Sequence, residues 1–103
     1  MVNVAFSINN VPIRLTDERW THIVENHDDL AGYYFNVLET VTDPDWVFEG
    51  GKDEFWAAKL ISGKKALLVI YKEIAKQKDG FILTAFFTTK IKKLMGRKTL
   101  WQR

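Results

Sequence analysis

The sequence predicts an α+β domain in which two N-terminal helices pack on a four-stranded antiparallel β-sheet. Three observations carry that prediction. Before Pro44, apolar residues recur twice at helical spacing. After it, the chain turns to strand-like runs separated by glycine-containing turns. Helices first and strands afterwards is the order of segregated layers. At 103 residues, with 47% hydrophobic and 27% charged side chains, the chain has the size and composition of one folded unit, residues 1–103.

Each element has a local reason. Val2 to Ile8 reads as a weak strand or extended lead-in, and Asn9-Asn10-Val11-Pro12 as a turn. Thr16 is placed to cap a helix, with Asp17 and Glu18 in its first turn to complement the helix dipole. That helix runs from Asp17 to about His27, and Trp20, Ile23, Val24 and His27 form its buried face. A second helix spans roughly Ala31 to Val41 through Tyr34, Val37, Leu38 and Val41, and Asp43-Pro44 ends it. Four strands follow: Asp45 to Glu49, Glu54 to Ile61, Lys65 to Glu73 and Phe81 to Thr89. The third contains the unbroken run Ala66-Leu67-Leu68-Val69-Ile70, which suits a central strand covered on both faces. Lys76 to Gly80 reads as a polar loop, and Lys90 to Lys98 as a basic tail interrupted by Gly96.

Composition removes several chemistries. Without cysteine there are no disulfides, thiolate nucleophiles or cysteine zinc sites, which fits a cytoplasmic location. Met1 to Asn10 lacks the basic and apolar regions of a signal peptide. The longest continuous apolar stretch, Ala66 to Tyr71, is too short to span a bilayer, so no membrane partner is expected. Charge is the informative feature. Three bases and eleven acids up to Ala58 leave −8, whereas twelve bases and two acids from Lys59 onward leave +10. A basic half of that strength is the footprint of a phosphate-binding surface, unless the two halves fold together and neutralise each other.

Candidate chemical groups are few. Histidine is the usual proton-transfer residue near neutral pH, and both histidines, His22 and His27, fall in the first helix. Five residues apart, they point about 140° from each other, which does not suit a shared metal. No metal or other cofactor is expected. His27 reads either as a core-edge histidine or as an acid–base group, and His22 either as an ordinary exposed histidine or as the better-placed catalyst. Alternation puts Phe55, Ala57, Lys59 and Ile61 on one strand face, where Lys59 either snorkels to the rim or holds an anion. In the last strand, Phe81, Leu83, Ala85 and Phe87 read as core. Ile82, Thr84, Phe86, Thr88 and Lys90 form the other face, with Phe86 as a stacking surface. Thr84 and Thr88 lie about 13 Å apart on a strand, so they line a groove rather than grip one oxygen. Lys90, Lys92, Lys93, Arg97 and Lys98 form a cluster suited to a non-specific grip on nucleic acid. Neither a nucleophile elbow nor a phosphate-cradling glycine loop is present.

The run Ile13-Arg14-Leu15-Thr16-Asp17-Glu18-Arg19-Trp20-Thr21-His22-Ile23, followed by His27, resembles the opening helix of a phage- and bacterium-associated family. That family is placed in the barnase–EndoU–colicin–RelE-like (BECR) ribonuclease superfamily. Glu39-Thr40-Val41-Thr42-Asp43-Pro44-Asp45, the strand Gly80-Phe81-Ile82-Leu83-Thr84-Ala85-Phe86-Phe87-Thr88 and Leu100-Trp101 extend the resemblance over nearly the whole chain. Asp28 stands where the family commonly has proline, and Phe86 where it commonly has tyrosine.

The resemblance implies a metal-independent, toxin-like endoribonuclease. Its partners would be RNA, with tRNA among the candidates, and a cognate inhibitor protein. Such an enzyme uses the ribose 2′-hydroxyl as internal nucleophile, and needs a base, an acid and donors for the phosphate. Carried onto this chain, His22 and His27 supply proton transfer, with His22 preferred. Lys59 holds the phosphate, and Thr84 and Thr88 donate hydrogen bonds. The alternative is a non-catalytic module of the same fold that binds nucleic acid or protein.

Overall fold

The structure is a computed structural model that describes residues 2–103. It corrects the expected architecture. The domain remains α+β, but its sheet has seven strands rather than four, and it is mixed rather than antiparallel. The strands are β1 (Val2–Phe6), β2 (Pro12–Thr16), β3 (Trp46–Glu49), β4 (Glu54–Ser62), β5 (Lys65–Ile74), β6 (Asp79–Thr88) and β7 (Thr99–Gln102). The helices are α1 (Asp17–Asn26), α2 (Tyr34–Thr42) and the short α3 (Ile91–Leu94). Across the sheet the order is β1-β2-β6-β5-β4-β3-β7.

The added strands explain the enlargement. The turn after β1 spans Ser7 to Asn10, with Asn10 at φ 60°, so Pro12 opens β2 instead of closing a turn. Proline suits the first residue of a strand because its missing N–H costs no ladder bond there. In β2, Ile13 and Leu15 are buried while Arg14 and Thr16 face out. β2 pairs antiparallel with β1 and parallel with β6, Ile13 opposite Gly80 and Arg14 opposite Phe81. Only glycine fits at that crossing. A Cβ at Gly80 would lie 2.2 Å from the Lys72 carbonyl oxygen and 2.5 Å from Ile13 Cδ1. At the far edge β7 pairs with β3, and the expected basic tail, Lys90 to Lys98, contains the helix α3 and leads into that strand.

The helices follow their local signals closely. Thr16 caps α1, its Oγ1 accepting from the Arg19 N–H at 3.1 Å. Ile23 is buried, and Trp20, Val24 and His27 are half-buried. α2 begins at Tyr34 rather than Ala31 because Gly32, at φ 90°, lies in a turn between a 3-10 segment (Asp28–Leu30) and the helix.

The two faces of the sheet are unequal. On one, Ile23, Leu30, Val37 and Val41 from the helical layer meet Ile13, Leu15, Val47, Ala57, Leu67, Val69, Tyr71, Ile82 and Ala85. Full burial of each aliphatic side chain is worth about 1.5–3 kcal/mol. The second face holds a smaller cluster of Phe48, Ala58, Leu68 and Ile70, covered by Leu94 of α3 and flanked by Trp46, Trp56, Leu83 and Phe86. β6 changes phase between the faces. A bulge puts Tyr71 opposite Ile82 and Ile70 opposite Thr84, with Leu83 as the extra residue. Ile82 therefore enters the main core and Leu83 the second face, the reverse of strict alternation.

Candidate nucleic-acid interface

Cross-strand partners share a face, so the register locates each candidate. Thr84, Phe86 and Thr88 oppose Ile70, Leu68 and Ala66. They stand together on the second face, as the alternation of the strand end suggested. Lys59 opposes Leu67, whose other neighbour is Phe87. It therefore belongs to the helix-covered face, with the sheet between it and the two threonines. Its ammonium donates to the Asp43 carbonyl at 2.9 Å and to the Asp43 carboxylate at 3.1 Å, and sits 3.9 Å from Glu39. Arg103 grips the same Asp43 carboxylate and also reaches Asp45 at 3.2 Å. The Lys59 hydrogen bond, then that of Arg103, hold the Asp43 carboxyl below the usual carboxylate range. This clasp ties the end of α2 to β4 and β7.

The histidines also separate. His22 is exposed, its Nε2 3.9 Å from Glu18 Oε1, and it borders a polar hollow with Thr16, Arg19 and Asn26. His27 closes α1, its N–H donating to the Ile23 carbonyl at 2.8 Å. Its ring lies 5.6 Å from that of Phe86 at a 31° tilt. β2 pairs with β6 only at Gly80 and Phe81, whereas α1 contacts β6 as well as β2. The helix thus lines the part of the β6 edge that β2 leaves unpaired.

Phe86 also lines a cleft of about 300 Å³ with Trp56, Leu68, Thr88, Lys90, Lys93, Leu94 and Arg97. Its floor is apolar, three cations stand around it, and no carboxylate lines it. Thr88 Oγ1 accepts from the Lys90 N–H at 3.1 Å, which leaves the hydroxyl proton free to donate. Lys92 and Lys98 are exposed and do not line the cleft. Thr84 shares the face but not the cleft.

Trp56 is the member that sequence reasoning missed. Its indole N–H donates to Glu54 Oε1 at 2.8 Å, and the Arg97 guanidinium lies 3.6 Å above its ring. A Cβ at Gly50 would fall 2.6 Å from the indole nitrogen, so the bare backbone there makes room for the ring edge. The available signal was a large aromatic alternating out of phase with Phe55 and Ala57, on the face opposite the main core. A larger hollow of about 590 Å³ beside the β3–β4 turn includes Glu49, Asp53 and Glu54 against one cation, Lys52, the wrong balance for phosphate. Among the described residues, no cluster of three or more histidine or carboxylate groups is arranged to hold a metal ion, and no helix is long and apolar enough to cross a membrane. No protein-family model, curated protein or solved structure matches the chain.

Proposed function

We propose that the chain is a metal-independent endoribonuclease, toxin-like in the sense implied by its BECR-family resemblance, acting on the second face of the sheet. The observation that carries this reading is His27 resting on Phe86, one ring away from a cleft furnished with Thr88, Lys90 and Lys93. In the reaction the 2′-oxygen bonds to phosphorus as the bond from phosphorus to the 5′-oxygen breaks. The products are a 2′,3′-cyclic phosphate and a free 5′-hydroxyl. Neutral His27 takes the 2′ proton, and the Lys90 or Lys93 ammonium supplies the proton to the leaving 5′-oxygen. The Thr88 hydroxyl and the remaining cation stabilise the charge that grows on the phosphate oxygens.

The test is incubation of the purified protein with tRNA and total RNA in EDTA. Cleavage that leaves cyclic-phosphate ends, and that His27→Ala abolishes, supports the reading. Intact RNA at every protein concentration rejects it.

A second reading has its own support. Lys59 is neutralised on the opposite face, and His22 lies away from the cleft, so much of the expected catalytic set is not assembled. A non-catalytic RNA-binding module of the same fold would bind RNA with steep salt dependence and leave it uncut.

A further inference from the structure

The lining of the cleft is more specific than a basic patch. Its flat groups are the Trp56 indole, the Arg97 guanidinium stacked on that indole, and the Phe86 ring backed by His27. Leu68 and Leu94 supply apolar area, and Lys90, Lys93 and the Thr88 hydroxyl supply donors. Trp56 is held on one edge by Glu54 and faced by Arg97, so this platform is already ordered. Arg97 itself is anchored by donating to the Glu49 carbonyl at 3.2 Å. A planar guanidinium lying on an aromatic ring presents its outer surface to a second planar group. Flat walls, an apolar floor and a cationic rim together match one chemical class, a planar ring carrying a phosphate. At about 300 Å³ the cleft sits at the small end of ligand sites.

We propose that this cleft seats a single unpaired nucleotide, its base stacked against Trp56–Arg97 and Phe86 and its phosphate held by Lys90 and Lys93. The assignment rests on the ribonuclease reading for its biological meaning, but not for its geometry. It narrows the substrate class to single-stranded RNA or looped-out bases, because a base inside a duplex cannot present its face to a side chain. Trp56 and Arg97 become residues that set which nucleotide is accepted. His27 backs Phe86 at the other wall and does not itself line the cleft.

Calorimetric titration with the four nucleoside monophosphates tests this directly, with inorganic phosphate and the free nucleosides as half-ligands. At least one nucleotide is expected to bind more tightly than either of its halves, and single-stranded RNA more tightly than the same sequence in a duplex. Loss of the stack in Trp56→Leu should weaken nucleotide binding roughly 5- to 150-fold. Arg97→Lys, which keeps the charge but not the flat surface, should weaken it less than Arg97→Ala but measurably. A Trp56→Phe variant, which keeps a ring, guards against loss of folding and should retain most of the binding. Inorganic phosphate binding as tightly as every nucleotide would overturn the assignment, as would nucleotide affinity unchanged in Trp56→Leu and Arg97→Ala. The two proposals fail separately. Nucleotide binding without RNA cleavage keeps the cleft and removes the enzyme. Cleavage indifferent to both substitutions keeps the enzyme and removes the cleft.

Discussion

The imidazole of His27 and the ring of Phe86 lie 5.6 Å apart at a 31° tilt, joining the end of α1 to β6 on the second sheet face. His22, five residues earlier on the same helix, has Glu18 as its ionic neighbour instead. The pair therefore offers a clean contrast. His27→Gln should lower RNA cleavage by about 10²- to 10⁴-fold, the usual worth of an acid–base group. His22→Gln should leave the rate within about twofold, since an exposed group off the cleft adds little to the chemical step. Initial rates on a short labelled RNA, with thermal melts of both variants, give the comparison.

Lys59 gives the opposite expectation. It is bound to Asp43 on the helix-covered face, so Lys59→Met should leave RNA affinity and its salt dependence unchanged while lowering the melting temperature. The sign with pH follows from Asp43. Its carboxyl is held below the ordinary carboxylate range, first by Lys59 and then by Arg103. Its stabilising contribution is thus present at neutral pH and lost as pH falls through its own depressed titration. Melts across an acid series should show wild type and Lys59→Met converging toward low pH.

Gly80→Ala tests the parallel junction. The new methyl would fall 2.2 Å from the Lys72 carbonyl oxygen, a backbone atom that cannot swing aside. The expected loss lies at or above the top of the usual overpacking range, about 3 kcal/mol. Denaturant unfolding measures it. By contrast Gly63→Ala, where a Cβ meets nothing within 4 Å, should change stability much less.

Tyr71 is buried in the main core, and its hydroxyl has no hydrogen-bond partner among the described residues. Burial, and secondarily the nearby Glu73 carboxylate, push the phenol above its ordinary range. Glu73 is itself buried and accepts from the Ser7 hydroxyl and, at 2.9 Å, from Asn9 Nδ2. Removing an unsatisfied buried hydroxyl relieves a desolvation cost of about 1–3 kcal/mol, so Tyr71→Phe should be neutral or stabilising. Because the folded state favours the neutral phenol, its ionisation leaves stability untouched below about pH 10, the unfolded value, and lowers it as pH rises toward the folded titration. Tyr71→Phe should flatten that alkaline decline in unfolding free energy.

The sequence made the helices legible because their signals are local. Thr16, the acidic first turn and the Trp20-Ile23-Val24-His27 stripe lie within twelve residues. The same nearness hid β2. Ile13 and Leu15 alternate with Arg14 and Thr16, but Thr16 ends the strand and caps the helix at once, leaving no loop to mark a boundary. β7 was hidden for the converse reason. Its four residues become a strand by pairing with β3, and Arg103 beyond it is held by Asp43 and Asp45, all distant in sequence. On the candidate site, the alternation of Thr84, Phe86 and Thr88 was readable beyond the bulge. That Lys59 lies across the sheet from them was not, because a strand pattern does not say which side of a neighbouring strand shares its face.

The extra residue at Leu83 has a consequence for how this chain tolerates change. It acts as a phase shifter within β6, with Gly80 to Ile82 keeping one in-and-out rhythm and Thr84 to Thr88 another. Removing it would bring the two rhythms into step without turning anything over: Ile82 stays inside, Thr84 outside, Ala85 inside and Phe86 outside, opposite the partners they already have. The bulge is therefore slack that β6 can give up with both faces intact. A residue lost from a regular strand has no such reserve, and half of that strand must exchange its faces. The aromatic wall of the cleft is thus buffered against a one-residue shortening at this point of its own strand.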